Sequence, residues 1–267
     1  MNKNRRKRFL KVIARILFPK PKVKFEEDDN EVGIYVANHA QIYGPLFMGL
    51  YFPKDSAYWI INNALDESKA KPYAYHDACY GNSRKHKSWY RFLARIIASI
   101  LPKMLRCVDY IPVYHDKRIE ETFTKSIEAL KNNKNIVIFG ESTIPYSPYI
   151  NNLQTGFLNI VSTFYKETGK RIKIYPVYLE KKNKVVLVGS PISYDPSINL
   201  VNQMRIVNEY ICSNITRLAQ SLTKPHPIPF YGEKWYEGYS KYTYNYAKYW
   251  QMIDEDESFL KHKKGDF

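Results

Sequence analysis

The hydrophobic pattern of the chain alternates between short apolar runs and longer segments in which apolar residues recur every three or four positions. The short runs are rich in β-branched and aromatic residues and predict buried strands. They cover residues 33–37, 57–61, 108–113, 135–141, 172–178 and 185–188. The longer segments predict helices beginning near Pro45 and at 89–105, 117–132, 156–168 and 198–222. This alternation predicts an α/β fold built on a single mixed sheet flanked by helices.

Several single residues mark where the predicted helices and strands begin or end. Asp116 is a suitable N-cap for the helix 117–132, and Gly169 is a suitable C-cap for the helix that precedes it. Pro112 places the 108–113 strand at a sheet edge or ends it, because proline cannot donate a ladder hydrogen bond. The apolar helix 89–105 has two interpretations: a core helix, which we favour, or a membrane-contacting element.

The first 24 residues stand apart by charge, since they hold ten Lys or Arg and no Asp or Glu. Within residues 5–18, apolar side chains between Phe9 and Leu17 follow helical spacing among basic ones. This pattern is typical of an N-terminal amphipathic helix in a membrane interface. There, the attraction of each basic residue to anionic head groups contributes about 1 kcal/mol to membrane binding. The alternative is a solvated helix packed on the domain. The predicted organisation is a membrane-associating segment at 1–24, an α/β domain at 25–224 and an aromatic-rich tail at 225–267.

Composition narrows the partners that the chain could have. The formal net charge is +15 over 267 residues, which is compatible with nucleic acid, an anionic membrane or an anionic substrate. We expect no nucleic acid, because the sequence has no recognisable binding motif and its basic residues pool in one amphipathic segment. The three cysteines have no C-x-x-C spacing, so we expect no metal site and a reducing compartment. We find neither a clean signal peptide nor an apolar run of transmembrane length.

Candidate chemistry lies where two of the predicted strands end. Asn38-His39 directly follows the 33–37 strand, and Glu141-Ser142-Thr143 ends the 135–141 strand. A histidine at a strand end, before a helix N-terminus, is accessible and can serve as a general base toward a hydroxyl. We expect the Glu141 carboxylate in the same cleft as His39, within roughly 8 Å, which is wider than direct hydrogen-bond reach.

The succession of these motifs resembles the glycerolipid acyltransferase family, which includes the lysophosphatidic acid acyltransferases. That family has an N-H-x-x-x-x-D motif, an F-P-E-G-T-R motif, a later K-x-G stretch and a V-P-V strand. The corresponding pieces begin here at Asn38, Val108, Ile136, Leu153 and Ile174, in the family's order, over about residues 33–195. The string from His39 to Pro45 resembles a divergent bacterial branch of the family.

The resemblance implies a role for each matching residue. His39 would deprotonate the acceptor hydroxyl as it attacks an acyl thioester, with Glu141 and Asp116 as further catalytic candidates. Pro176 would match the proline of the V-P-V strand. Acceptor or donor contacts would come from seven residues near these strand ends: Asn38, Tyr43, Gly44, Tyr114, His115, Ser142 and Thr143.

Two departures from the family pattern change these expectations. The motif's aspartate is Gly44 here, and the arginine expected to bind an acceptor phosphate is Ile144. A carboxylate normally orients a catalytic histidine, so its loss means either lost activity or another orienting group. Glu141 is the first candidate, Asp116 the second, and a backbone carbonyl of the 40–44 turn the third. Tyr114-His115-Asp116 could equally be a plain helix start, and His76-Asp77 is a weaker pair of the same kind.

The resemblance therefore implies an O-acyltransferase of phospholipid metabolism at the cytoplasmic face of a membrane, bound peripherally. We expect acyl-CoA or acyl carrier protein as co-substrate, no tightly bound cofactor, and membrane lipids as partners. The first alternative is a catalytically silent lipid-binding relative of the same fold. Acyl length, acceptor identity, donor carrier and oligomeric state are not given by the sequence.

Overall fold

A computed structural model describes residues 19–41, 43–74, 88–114, 116–142 and 146–230. Several sequence-based predictions lie outside these ranges: the 5–18 helix, the His76-Asp77 pair, His115, Thr143, Ile144 and the aromatic tail beyond residue 230. The chain divides into two compact units. The first comprises residues 1–62 and 104–230, and the second comprises residues 63–103 and 231–267.

The first unit is organised around an eight-stranded sheet. Its strands are β1 (Lys22–Phe25), β2 (Gly33–Ala37), β3 (Ser56–Ile61), β4 (Tyr110–Val113), β5 (Asn135–Ile138), β6 (Lys173–Glu180), β7 (Val185–Val188) and β8 (Ile192–Ser193). Their order is β1-β7-β6-β2-β5-β3-β4, and β8 pairs with β6. The strands from β6 to β4 in this order run parallel, whereas β7 is antiparallel to β6. The predicted single mixed sheet flanked by helices is therefore confirmed.

The strand β2 is the centre of this sheet, because it lies between β5 and β6 and is parallel to both. Every residue of β2 is buried, which explains why its sequence is a continuous apolar run rather than an alternating one. Ile34 and Val36 join one core cluster, while Tyr35 and Ala37 join the other. This division follows from the alternation of side chains across a strand.

The helices are α1 (Tyr43–Tyr51), α2 (Asn62–Leu65), α3 (Ala70–Tyr73), α4 (Ser88–Leu105), α5 (Ile119–Lys131), α6 (Leu158–Thr168) and α7 (Leu200–Gln220). A 3-10 turn at Thr155–Phe157 precedes α6. The apolar faces of α5, α6 and α7 pack with Ile34 and Val36 in the larger core cluster. Met48 of α1 belongs to the second cluster.

Several details of the elements are confirmed. Pro45 lies in the first turn of α1, Gly169 ends α6 with φ 69°, and Pro112 lies in the edge strand β4. The predicted N-cap Asp116 is wrong, because α5 begins only at Ile119 and Asp116 accepts instead from the backbone N–H of Arg118. The sequence pattern also missed β1 and β8, which are short and only partly buried.

The described part of the second unit is helical. Residues 88–103 of α4 pack Tyr90 and Ala94 against Ala74 in a small apolar cluster. The preferred interpretation of this helix as a core element is only half right. Its other apolar face is exposed, with Trp89, Phe92, Ile96 and Ile100 all more than 40% accessible.

Candidate functional site

The candidate site lies at the carboxyl ends of β2 and β5. These adjacent parallel strands end at Ala37 and Ile138, and the next residues bring Asn38-His39 and Glu141 to the same edge of the sheet. Ligands of open α/β sheets bind outside the carboxyl ends of parallel strands, where loops diverge. The position of the site thus follows from the pairing of β2 with β5.

Asn38 fixes the end of β2 to its other neighbour, β6. Its side-chain amide donates to the carbonyl of Leu179 at 3.2 Å, and its Oδ1 accepts from the N–H of Leu179 at 2.8 Å. Asn38 is 1% exposed, so both hydrogen bonds are made away from water. Asparagine can satisfy a donor and an acceptor of one backbone residue at once, which extends the strand pairing through a side chain. Asn38 therefore fixes the backbone that leads into His39.

The turn after His39 determines how its imidazole is oriented. Ala40 and Gln41 both have left-handed backbone conformations, with φ values of 43° and 55°. Such conformations cost about 1–3 kcal/mol each for residues with a side chain, and they cluster at functional sites. The turn brings the carbonyl of Gln41 to 2.7 Å from Nδ1 of His39. Because a carbonyl can only accept, Nδ1 carries the proton and Nε2 carries the free lone pair.

Glu141 links the two strand ends through its carboxylate. Oε2 accepts from the backbone N–H of His39 at 2.9 Å, and Oε1 accepts from the N–H of Asn151 at 2.8 Å. The residue is 5% exposed, and this burial raises the pKa of its carboxyl to about 7 despite both hydrogen bonds. The structure thus brings Glu141 against His39, as expected. The carboxylate holds the histidine backbone, whereas the Nδ1 partner is the turn carbonyl, the third candidate from the sequence.

Aromatic rings flank the half-buried imidazole of His39. The ring of Phe139 lies 5.7 Å away and that of Phe230 lies 5.0 Å away, both in edge-to-face arrangements. Removing the imidazole from water disfavours its charged form, so burial lowers the pKa of His39 to about 4. At neutral pH the ring is therefore uncharged, with Nε2 able to accept a proton.

The structure leaves no space for a side chain at Gly44. A Cβ atom at this residue would lie 2.3 Å from the carbonyl oxygen of His39 and 3.0 Å from the ring of Phe139. No side chain fits at that distance from a backbone atom. The backbone conformation around His39 thus excludes a carboxylate at residue 44.

Tyr43 and Ser142 lie at the margins of the site. The ammonium of Lys181 hydrogen bonds to the hydroxyl of Tyr43 and lies 4.0 Å from the centre of its ring. Ser142 takes part through its backbone, whose N–H donates to the carbonyl of Asn152 and whose carbonyl accepts from the Asn151 side chain. This ladder holds the chain after Glu141 in place.

Asp116 forms a separate surface cluster with its neighbours. Its two carboxylate oxygens accept from Nε and Nη2 of Arg118, and the guanidinium of Arg118 lies 4.3 Å from the ring centre of Tyr114. All of these contacts are within five residues of the chain, and the carboxylate is exposed. The structure therefore gives Asp116 a local ion pair with Arg118, and its part in orienting His39 stays a prediction.

Two contacts of the site were missed by sequence reasoning. They involve the backbone N–H of Asn151 and the ring of Phe230. The first is a backbone group, which no residue pattern specifies. Phe230 follows the segment from Pro225 to Pro229, and its proline density was the one available signal that this stretch is extended.

In the described residues, no three His, Cys, Asp or Glu side chains converge in a way that could hold a metal ion. Within the same ranges, no helix combines the length and apolarity needed to cross a bilayer.

Comparisons with known proteins give a likeness in structure. No family model matches the chain. No curated protein matches it. Among solved structures, the chain is similar to the crystal structure of the 1-acyl-sn-glycerophosphate (LPA) acyltransferase PlsC from Thermotoga maritima. The TM-score is 0.47 and the sequence identity 16%, over 83% of this chain and 81% of that chain.

Proposed function

We propose that the chain transfers a fatty acyl group from a thioester carrier to a hydroxyl of a lipid or lysophospholipid at a membrane surface. The carrier would be coenzyme A or acyl carrier protein, and the protein would bind the cytoplasmic face of the membrane peripherally. The observation that carries this proposal is the fixed tautomer of His39, whose Nδ1 is 2.7 Å from the Gln41 carbonyl at the end of the central strand. This arrangement supplies a neutral imidazole with a free Nε2 lone pair.

In the proposed reaction, Nε2 of His39 takes the proton of the acceptor hydroxyl as its oxygen attacks the thioester carbonyl carbon. The carbon–oxygen bond forms, and a tetrahedral intermediate with a negatively charged oxygen results. Collapse of this intermediate breaks the carbon–sulfur bond and releases the carrier as a thiolate. The imidazolium of His39 returns its proton to the sulfur, so the products are the ester and the free thiol. General base catalysis of this kind contributes about 10²–10⁴-fold in rate.

Glu141 has a positioning role in this proposal. Its carboxylate accepts from the backbone N–H of His39, so it ties the strand end that carries the base to the strand end of β5. When ionised, it also places a negative charge near the imidazolium that forms during the reaction, which favours proton transfer. The raised pKa of about 7 means that the carboxyl is ionised mainly above neutral pH.

The acceptor is proposed to lack a glycerol phosphate recognised by arginine. The sequence has Ile144 where the family pattern places that arginine, and an apolar side chain cannot form a bidentate phosphate contact. Lysophosphatidic acid should accordingly be a poor acceptor compared with a neutral or differently headed lipid hydroxyl.

A silent lipid-binding protein is the second candidate, and one feature of the site favours it. The Nδ1 partner of His39 is a backbone carbonyl, and burial lowers the pKa of the ring to about 4. A carbonyl fixes the tautomer but does not stabilise the imidazolium as a carboxylate does. A base of this pKa is weak unless the bound substrates stabilise its charged form.

Acyl transfer with purified protein separates the two candidates. Radiolabelled acyl-CoA and acyl–acyl carrier protein are each incubated with a membrane lipid extract, with lysophosphatidic acid and with a neutral monoacylglycerol. The proposal predicts a labelled lipid ester together with an equal amount of free carrier thiol. Lipid binding without release of thiol, from either carrier and with every acceptor, would favour the silent candidate and contradict the enzyme.

A further inference from the structure

We propose that helix α4 is a second membrane-contacting element, which lays its exposed apolar face on an anionic lipid bilayer. This goes beyond the proposed acyl transfer, for which it supplies a contact surface, and its biological purpose rests on that proposed function.

The apolar face of α4 is unusual for this chain. Seven large apolar side chains are exposed in the described residues, and four of them lie on this helix: Trp89, Phe92, Ile96 and Ile100. Their spacing of three and four residues aligns them along one side of the helix. Phe92 is 66% exposed and Trp89 is 54% exposed, so this side is open along about three turns.

The helix has a second apolar face that accounts for its folding. Tyr90 and Ala94 are buried and pack with Leu93, Ile97 and Ala74. The centre of the row from Trp89 to Ile100 lies about a quarter of a turn around the helix from the centre of this cluster. The two faces meet at Trp89, whose ring centre lies 4.7 Å from that of Tyr90, while Phe92 and Ile96 lie farther round the helix. Packing against the described residues of the same unit, 63–74 and 88–103, thus accounts for one face of α4 and leaves Phe92, Ile96 and Ile100 exposed.

Charge identifies the partner that this face fits. The helix contains Arg91, Arg95 and Lys103 and no acidic residue. From residue 78 to 108 the chain has seven Lys or Arg and no Asp or Glu. An apolar row with tryptophan and phenylalanine, accompanied by basic residues only, is the composition of a helix lying in an anionic membrane interface. A protein partner would need a continuous acidic surface to match the same helix.

The experiment measures contact of Trp89 with lipid chains in the full-length protein. Unilamellar vesicles of phosphatidylcholine, with or without phosphatidylglycerol, carry brominated acyl chains that quench tryptophan fluorescence at short range. The predicted 1–18 anchor contains no tryptophan, so it cannot produce this signal itself. We expect quenching with the anionic vesicles, and a clear loss of that quenching in Trp89→Phe. Equal quenching of wild type and Trp89→Phe would overturn the proposal.

A pair of matched charge substitutions tests the face by binding. Phe92→Glu with Ile96→Glu should weaken binding to the anionic vesicles about tenfold or more, because charge is placed in the apolar contact. Val201→Glu, which changes a 75% exposed apolar residue of α7, is the control and should bind like wild type. Thermal unfolding verifies that each variant is folded.

The remaining outcomes decide against a bilayer. Unchanged vesicle binding by the double variant overturns the proposal. A change from dimer to monomer in the double variant, with vesicle binding retained, also overturns the proposal. That result would identify a second copy of the chain as the partner that covers the apolar face of α4. No acyl donor is present in these measurements. A protein that binds vesicles through α4 but transfers no acyl group would contradict the proposed function alone.

Discussion

At the scale of single residues, Gly44 has a steric explanation that the sequence does not reveal. The resemblance of the sequence pattern to the acyltransferase family implies a missing carboxylate at this position. The structure shows the backbone of residue 44 packed against the carbonyl of His39, where a Cβ would lie at 2.3 Å. The imidazole is oriented by the Gln41 carbonyl, which the left-handed turn at Ala40 and Gln41 presents to Nδ1. The two features belong to one local backbone conformation.

A small substitution at Gly44 tests this explanation. Gly44→Ala should lower the free energy of unfolding by about 2–3 kcal/mol, since a Cβ overlaps a backbone oxygen that cannot move independently. Gly156→Ala is the matched control, because a Cβ there meets no atom within 4 Å. Urea denaturation measures both. Equal stability of Gly44→Ala and Gly156→Ala would show that residue 44 has space for a side chain.

The contact between the rings of Phe230 and His39 leads to a second prediction at this scale, which concerns the pKa of His39. Phe230→Ala should let water reach the imidazole of His39, so the pKa of His39 should rise from about 4 toward its ordinary 6.5. The pH titration of the imidazole resonances by NMR measures this directly. Ile228→Ala is the control, since that residue packs with the second core cluster. A pKa that stays near 4 without the Phe230 ring would rule out its role in desolvation.

At the scale of secondary structure, the sequence predicted the two strands that carry the site. It did not predict the hydrogen bonds that connect the ends of these strands. The buried runs at 33–37 and 135–138 were recognisable because residues 34–37 and 136–138 are continuously apolar, as in parallel central strands. Their adjacency brought His39 and Glu141 together. The direction of each carboxylate contact could not be predicted, since Glu141 binds backbone N–H groups. Asp116 shows the same limit, because its ion pair with Arg118 depends on a turn of three residues.

Glu141 and His39, which connect the ends of β2 and β5, should change the free energy of unfolding in opposite directions as pH rises. Glu141 has a folded pKa of about 7, above its ordinary 4.5, so its contribution to stability declines as pH rises from about 4.5 to 7. His39 has a folded pKa of about 4, below 6.5, so its contribution grows from about pH 4 to 6.5. Between pH 4.5 and 6.5 these slopes oppose each other, and each reaches at most about 1.4 kcal/mol per pH unit.

Substitution of each residue by glutamine, which does not titrate, separates the two slopes. Relative to wild type, Glu141→Gln should gain unfolding free energy as pH rises from 4.5 to 6.5, because the declining contribution is removed. His39→Gln should lose it over the same range. Urea denaturation at pH 4.5, 5.5 and 6.5 measures these differences, in which the other titrating groups cancel. Parallel curves for wild type and both variants would mean that neither pKa is shifted.

At the scale of the whole molecule, the strand and helix alternation was sufficient to predict the class of the sheet. It was insufficient for α4, whose two apolar faces give one continuous hydrophobic signal in sequence. Burial of Tyr90 and Ala94 on one side and exposure of Phe92 and Ile96 on the other become separable only in three dimensions. A basic chain with an open apolar helix face fits the membrane location that the proposed reaction requires.

The central proposal is that Nε2 of His39 is the base for acyl transfer, and its removal is the most direct test. The initial rate of labelled ester formation is measured for wild type, for His39→Ala and for the control His226→Ala. His226 is a second half-buried histidine, and its backbone N–H donates to the carboxylate of Glu180. Loss of the base should lower the rate at least about 100-fold in His39→Ala, with the melting temperature nearly unchanged, and leave His226→Ala active. Turnover by folded His39→Ala at the wild-type rate would contradict the account.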